Sequence, residues 1–230
     1  VIDLSPMKGM WVDPRARVAR AQPGLLWGEF DHETQPFGLA TTGGIVSHTG
    51  TAGLTLGGGL GWLMRRHGLT ADNLLSADVV TADGTLVRAS AEENADLFWG
   101  LRGGGGNFGI VTSFEYRLHA VGPTVLAGLI LYPAARAREV LASYRDYIAS
   151  APDDLMTIVV LRKAPPAPFL PESIHGQPVV IIAVCCAGSV EDGERAVAPL
   201  RRLGEPPADL VRPTPYTSHQ ALIDASVPHG

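Results

Sequence analysis

The chain has 230 residues, enough for one large domain or two small ones, and 46% of them are hydrophobic, so a sizeable core can form. Its net charge is −5, no basic stripe is present, and its longest apolar run, residues 179–187, is far shorter than a membrane span. These features argue against a nucleic-acid partner and against a membrane partner. Because no signal-peptide pattern opens the chain, we expect a cytoplasmic protein.

Short strands and glycine turns dominate residues 1–120. Strands are predicted in VIDL, MKGMWVD and RVARAQPG, followed by a helix in LLWGEFDHETQPFG that ends at Pro36 and Gly38. A short helix (LMRRHGL), a hairpin (LLSADVVTADGTLVRAS) with Asp83-Gly84 at its tip, a helix (AEENADLFWGLR) and a strand (IVTSFEYRLHAV) follow. Since the chain opens inside an apparent strand and closes on SVPHG without a final element, we expect a fragment of a longer protein.

Residues from about 122 to 215 follow a different order of elements. Strands are predicted in PTVLAGLILYP, LMTIVVLRK, QPVVIIAVCCAG and ADLVRPTP, and helices in AARAREVLASYRDYIAS and EDGERAVAPLRRLG. The order β-α-β-β-α-β is the split βαβ pattern, in which an antiparallel sheet carries both helices on one face and leaves the other face available. The whole chain is therefore predicted to be α+β.

The two cysteines, Cys185 and Cys186, are adjacent in the last apolar run. Neighbours on a strand point to opposite faces, so we expect two free, buried thiols rather than a disulfide. No spaced set of cysteines and histidines is present, and no metal site is predicted.

The stretch RGGGGNFG, residues 102–109, contains Gly104, Gly106 and Gly109 in the spacing G-x-G-x-x-G. A Rossmann dinucleotide site needs a strand before these glycines and a helix after them. Here the predicted helix precedes the glycines and the predicted strand follows them. The spacing is therefore interpreted as a coincidence, which leaves an NAD(P)-dependent dehydrogenase as a weak alternative.

A second glycine cluster, residues 41–61, alternates glycines with threonine and serine hydroxyls. Bare backbone N–H groups in such a loop can form a nest for an anion. The same residues are equally compatible with a series of tight turns between short strands.

Three segments together resemble a known family. TGTAGLTLGGGLGWLMRRHGLTADNLL, VVTADGTLVRAS and DLFWGLRGGGGNFGIVTSFEYRL are similar to the PCMH-type FAD-binding domain of FAD-linked oxidases of the berberine-bridge-enzyme-like group, which are vanillyl-alcohol-oxidase-type flavoproteins. The resemblance implies that residues 1–120 are the second part of this FAD-binding domain, without its N-terminal subdomain. It also implies that residues 121–230 are a substrate domain without its C-terminal part.

The resemblance also implies which residues contact FAD. The implied residues lie in the two glycine-rich loops: Gly44, Ile45, Val46, Thr49, Gly50, Thr51, Gly53, Gly57, Gly58, Gly59, Gly61, Asn107, Gly109, Ile110 and Val111. Val46 stands where members with two covalent flavin bonds carry cysteine, so no cysteinyl bond is expected. The segment with the histidine that forms the other bond has no counterpart here, and a histidyl bond is neither assigned nor excluded. His48 is expected to be structural.

The implied activity is that of an FAD-dependent oxidase. Such an enzyme moves a hydride from an alcohol, sugar or natural-product C–H group to flavin, and O2 reoxidises the flavin with formation of H2O2. A small-molecule substrate and O2 are thus the expected partners, while catalytic residues and oligomeric state stay unassigned. The alternative is a non-catalytic, truncated flavin fold that acts as an interaction module.

Overall fold

The computed structural model describes residues 1–227. The chain forms two compact units, of which the second is Thr124–Pro215 and the first combines Val1–Pro123 with the segment that begins at Tyr216. The first division lies close to the expected boundary at residue 120. The expected range 121–230, however, does not coincide with the second unit, because the Tyr216 N–H donates to the carbonyl of Pro123 (2.9 Å) and the chain turns back into the first unit there.

The first unit is built on a five-stranded antiparallel sheet. Its strands, together with a separate two-stranded pair, are β1 (Met10–Asp13), β2 (Val18–Ala21), β3 (Leu39–Ala40), β4 (Leu74–Val80), β5 (Leu86–Ser90), β6 (Ile110–Arg117) and β7 (His119–Ala120). The large sheet has the order β1-β2-β6-β4-β5, and β3 pairs with β7. The hairpin β4–β5 is confirmed around Asp83-Gly84, whereas the strand predicted in VIDL is wrong, because residues 1–4 pair with no strand.

The helices of the first unit are short, and α2 lies in residues 41–61, where the sequence predicted no helix. They are α1 (Trp27–Thr34), α2 (Thr51–Leu56), α3 (Met64–His67), α4 (Ala95–Leu101) and, after the second unit, the helix Tyr216–Gln220. The backbone N–H of Leu26 donates to the Glu29 carboxylate (2.9 Å) at the start of α1, and Gly38 adopts a left-handed φ of 63° just beyond its end. Phe30 of this helix meets the ring of Tyr116 edge-on at 5.4 Å, which fixes α1 on the sheet.

The second unit has the split βαβ topology that the sequence predicts. Its elements are β8 (Thr124–Pro133), α5 (Ala137–Ile148), β9 (Leu155–Lys163), β10 (Pro178–Cys186), α6 (Val190–Arg201), β11 (Ala208–Asp209) and β12 (Arg212–Pro215). The antiparallel order is β11-β8-β10-β9, and β12 also pairs with β8. The single strand predicted in ADLVRPTP is thus two strands. They separate opposite Gly128, where any Cβ would overlap the carbonyl of Leu210.

Both helices of the second unit pack on one face of its sheet. Val140 of α5 and Val197 of α6 belong to a core that includes Ile130, Val180 and Ile182 from the central strands. Part of the opposite face is covered by the proline-rich segment at Ala164, Leu170 and Ile174. The α+β prediction is confirmed.

Cys185 and Cys186 are both buried and form no disulfide, as predicted. Desolvation raises the pKa of the Cys185 thiol, so this thiol stays protonated and unreactive. Along residues 1–227, no helix combines the length and the apolar character that crossing a bilayer requires.

Candidate cofactor site

The loop of residues 44–50 is held against the first turn of α1. The N–H of Trp27 donates to the carbonyl of Thr49 (3.0 Å), and the N–H of Gly28 donates to the carbonyl of Ser47 (2.7 Å). The first N–H groups of a helix have no partner within the helix, so the loop supplies their acceptors. The carbonyls of Ser47 and Thr49 are therefore occupied by hydrogen bonds from α1.

Two backbone N–H groups in the middle of the same loop make no such hydrogen bond. Among the described residues, the N–H groups of Ile45 and Val46 have no hydrogen-bond acceptor. Both residues line a cleft of about 410 Å³, a volume within the range of small-molecule sites. Leu54 and the largely exposed Leu60 add apolar surface to the same cleft. The cleft therefore combines backbone donors with an apolar wall.

The glycines around the cleft have two different reasons to be glycine. A Cβ on Gly61 would overlap the carbonyl of Gly43, and one on Gly59 would overlap the Thr70 side chain, so both are needed for packing. Gly53 differs, because it lies inside α2 with nothing within 4 Å of its Cβ position. Alanine would favour the helix by about 1 kcal/mol there. Neither backbone conformation nor packing therefore requires glycine at position 53.

The predicted cofactor residues divide between the cleft and its surroundings. Those that line the cleft are Gly44, Ile45, Val46, Thr49, Gly53, Gly57 and Gly59. Gly50, Thr51, Gly58 and Gly61 belong to the same segment without lining it. The Thr51 side chain is fully buried, and its hydroxyl has no partner in the described part of the chain.

The glycine run at residues 102–109 is a turn between α4 and β6, in the predicted helix-before, strand-after order. The Asn107 side chain donates to the carbonyl of Gly104 (2.8 Å) and so stabilises the turn. Gly109 has a φ of 139°, and a Cβ there would lie 2.6 Å from the carbonyl of Val80. Ile110 and Val111 then pair with β4. The turn packs beside α2, although none of these residues lines the cleft.

Polar side chains of α1 and of the returning C-terminal segment lie near the 44–50 loop. The Asp31 carboxyl is buried, and desolvation raises its pKa to about 7, opposed by a hydrogen bond from the Gln220 amide (2.9 Å). His219 is also buried, which lowers its pKa to about 4, and its ring centroid lies 4.3 Å from that of Trp62. Asp224 accepts from the N–H of Ser47 (2.9 Å).

Sequence reasoning missed these side chains because it placed residues 216–230 in the other domain. One signal for Asp31 was available: it follows Trp27 by four positions and precedes Thr34 by three, so it lies on the buried stripe of α1. Gln220 and Asp224 carry no comparable local signal.

Other candidate groups have structural partners. His48 lies with its Nδ1 4.0 Å from the Asp224 carboxylate. Three phenols of the second unit bond within it: Tyr132 and Tyr147 donate to the carbonyls of Leu200 and Ala196, and Tyr144 pairs with Thr157 (2.7 Å). Within residues 1–227, no group of three or more potential metal ligands is close enough to hold an ion.

With this geometry in place, comparison with known proteins is decisive for the cofactor. Residues 1–90 match the family model described as "FAD binding domain". The match likens this part of the chain to an FAD-binding domain. FAD, the predicted cofactor, is therefore confirmed, and the residues of the cleft fit it: Ile45 and Val46 offer N–H donors to acceptor atoms, Gly53 offers bare backbone, and Leu54 and Leu60 offer apolar surface.

Curated relatives of this chain are named FAD-linked oxidoreductases and oxidases. An FAD-linked oxidoreductase of Dictyostelium discoideum is 35% identical over 232 residues, which cover 100% of this chain and 48% of the relative. Among solved structures, 6-hydroxy-D-nicotine oxidase from Arthrobacter nicotinovorans matches with a TM-score of 0.86 and 32% identity over 100% of this chain and 49% of its own. A xylooligosaccharide oxidase from Myceliophthora thermophila matches with a TM-score of 0.79 and 28% identity, covering 99% and 46%.

These matches confirm the fold as that of the FAD-binding oxidoreductases. The chain spans about half the length of the relatives it matches.

Proposed function

We propose that the whole protein is an FAD-linked oxidase of the berberine-bridge-enzyme-like group, and that residues 44–59 hold part of its cofactor. The observation that carries this proposal is that Ile45 and Val46, whose N–H groups have no acceptor among residues 1–227, line a cleft together with Gly53. The matched FAD-binding domain and the relatives named as oxidases support the same interpretation.

In this proposal the chain binds and orients the cofactor. Bound FAD would supply the hydride acceptor for an alcohol, sugar or natural-product C–H group and the centre that O2 reoxidises, with H2O2 as the second product. The N–H groups of Ile45 and Val46 donate to its acceptor atoms. Because α1 fixes the carbonyls of Ser47 and Thr49, no carbonyl dipole of these two residues turns toward the same acceptors. We assign residues 1–123 to cofactor binding and residues 124–215 to the substrate domain.

Val46 also bears on how the cofactor is attached. Its side chain has no nucleophilic atom, so we propose that the protein forms no cysteinyl–flavin bond at this position. Cys185 and Cys186 lie in β10 of the other unit and are both buried there. The test is acid precipitation of the holoprotein that carries a His→Ala change at every histidine. Flavin colour that stays with this precipitate would contradict the proposal.

Gly53 offers the sharpest test of where the cofactor lies. In the full-length protein, Gly53→Leu is expected to weaken FAD binding by tenfold or more, because its side chain would project into the cleft while favouring the helix. The urea midpoint should not fall. Ser143→Leu, an exposed helical position on α5, is the matched control and should leave FAD affinity unchanged. Equal affinity in wild type and Gly53→Leu would remove the cleft from the cofactor site.

The activity itself is tested on the gently purified full-length protein. We expect flavin absorbance, and H2O2 formation with at least one member of a panel of alcohols, sugars and amine-bearing compounds. A protein that shows no flavin absorbance and takes up no FAD would overturn the proposal. FAD binding without O2 consumption across the panel would favour the non-catalytic interaction module instead.

A further inference from the structure

The segment that returns to the first unit carries two polar side chains on the back of the cofactor loop, Gln220 and Asp224. We propose that Gln220 and Asp224 are positioning residues that hold the Ile45–Val46 peptides toward the cofactor. The inference rests on the proposed function, and it concerns residues that contact neither the cleft nor its apolar wall.

Gln220 fixes the entry to the loop. It is buried, and its amide nitrogen donates both to the carbonyl of Gly44 (3.0 Å) and to the Asp31 carboxyl (2.9 Å). Both partners are acceptors at these atoms, so the two hydrogens of one NH2 group account for both bonds. Asp31 in turn belongs to α1, which already binds the loop through Trp27 and Gly28. The Gly44 carbonyl is therefore held in a fixed position relative to α1.

Asp224 fixes the exit. One of its carboxylate oxygens accepts from the backbone N–H of Ser47 (2.9 Å), and the other accepts from the Ser47 hydroxyl. The Ser47 carbonyl accepts from Gly28 of α1 (2.7 Å). Every polar atom of Ser47 is therefore committed, and a carboxylate makes two of the three bonds. Hydrogen bonds to a charged group are the stronger kind.

The two anchors lie immediately on either side of Ile45 and Val46, which line the cleft. Gly44 precedes Ile45, and Ser47 follows Val46, while the N–H groups of Ile45 and Val46 have no partner among residues 1–227. A short loop with both ends fixed and its centre uncommitted has few orientations for those central N–H groups. Donors whose orientation is fixed before binding cost little reorganisation when the ligand arrives.

A purely structural role for the segment predicts a different outcome. If Asp224 only stabilised the fold, its removal would lower stability and leave FAD affinity among folded molecules unchanged. If it positions the loop, its removal changes FAD affinity and the flavin spectrum, because the N–H groups near the flavin lose their fixed orientation. The conservative change to asparagine separates these cases, since the amide oxygen can accept one of the two Ser47 bonds.

The experiment compares Asp224→Ala, Asp224→Asn and Gln220→Leu in the full-length protein, with Ser226→Ala as the matched control. Ser226 lies in the same short turn, but its hydroxyl donates to the carbonyl of Ile223 and does not reach the loop. The measurements are the FAD dissociation constant, the flavin absorption spectrum and the urea midpoint. We expect Asp224→Ala and Gln220→Leu to weaken FAD binding about tenfold and to shift the spectrum. Asp224→Asn should recover part of the loss, and Ser226→Ala should match wild type.

Unchanged affinity and spectrum in Asp224→Ala, with wild type binding FAD, would overturn the positioning role and leave the proposed function standing. A wild-type protein that binds no FAD would instead overturn the proposed function, and the positioning role with it. If Asp224→Ala does not fold, Ser47→Ala provides the second variant: it removes the hydroxyl bond to Asp224 and keeps the backbone bond. A wild-type affinity and spectrum in Ser47→Ala, with Gln220→Leu also unchanged, would equally overturn the positioning role.

Discussion

The two units of this chain treat their buried polar side chains differently. In the second unit, Tyr132 donates to a helix carbonyl and Tyr144 pairs with Thr157, and no buried side-chain polar atom of residues 124–215 lacks a hydrogen-bond partner. In the described part of the first unit, several such atoms have no partner. They belong to Trp27, Asp31, Gln35, Thr41, Thr51, Trp62, Thr70, His219 and Gln220.

This difference has an energetic meaning. A buried polar atom without any partner costs about 1–3 kcal/mol, so each of these atoms calls for an explanation. Trp27, which carries one of these atoms, is bonded through its backbone to the loop that we assign to FAD, and Thr51, which carries another, directly follows that loop. Sites of function commonly break local rules in this way. The four predictions below test the contrast, from the largest effect to the smallest.

The largest effect is expected from Gly61→Ala. The added Cβ would overlap the carbonyl of Gly43, and the backbone would have to move, so we expect a loss of more than about 4 kcal/mol in the free energy of unfolding, or no folding. Gly53→Ala is the control, because nothing lies within 4 Å of its Cβ position. Urea titration measures both. If Gly61→Ala and Gly53→Ala have similar stability, the two positions do not differ in their need for glycine, and the prediction is wrong.

The next prediction concerns the pH dependence of the first unit. The pKa of Asp31 is raised from 3.8 to about 7, so from pH 4 to 7 the unfolded chain has lost a proton that the folded chain keeps. Stability therefore falls as pH rises through this window, by about 4 kcal/mol at most. The pKa of His219 is lowered from 6.5 to about 4, so the unfolded chain takes up a proton in this range that the folded chain does not. For this group, stability therefore falls as the pH decreases from 6.5 to 4.

Two variants separate these opposed contributions. Relative to wild type, Asp31→Asn should gain stability as pH rises from 4 to 7, because the cost of ionising a buried carboxyl is gone. His219→Phe keeps a ring beside Trp62 and should gain stability as pH falls from 6.5 to 4. Thermal unfolding across this pH range gives both differences. Curves that run parallel to wild type would show that neither group is held in its uncharged form.

FAD itself should act unequally on the two units. At a free concentration of 100 times its Kd, a ligand that binds only the folded state stabilises it by about 2.7 kcal/mol. We expect hydrogen exchange to slow in residues 44–56 and around Gln220 when FAD is added, while α5 and α6 stay unchanged. Slower exchange confined to the second unit would contradict the assignment of the cofactor loop.

The smallest effect is expected from Ser189→Ala in the second unit. The Ser189 hydroxyl caps α6 by accepting from the N–H of Asp192 (3.1 Å), and losing such a cap costs about 1 kcal/mol. FAD affinity should not change, since the cap lies outside the cofactor loop. Urea titration and FAD titration of the same variant check both statements. A loss of FAD affinity in Ser189→Ala would contradict the assignment of cofactor binding to the first unit.

Much of the fold could be predicted from local patterns. Helices α5 and α6 and strands β8, β9 and β10 follow directly from apolar periodicity, because the period of 3.6 or 2 residues decides which local structure can bury its apolar face. The strand predicted in VIDL was wrong because alternation indicates a strand only where a partner strand lies beside it. The helix Tyr216–Gln220 was missed because five residues give too short a pattern.

The sequence by itself determined most of the order of elements, the α+β class and the absence of a nucleophile at Val46, and it predicted a flavin-binding loop. These features are carried by neighbouring residues or by long motifs. Only the tertiary structure decided which glycines pack and which face a cleft, and that Gln220 bonds to Asp31 across 189 positions of the chain. No local period links residues so far apart, because their contact depends on where the chain returns after the second unit. That return places the side chains that we propose to hold the cofactor loop.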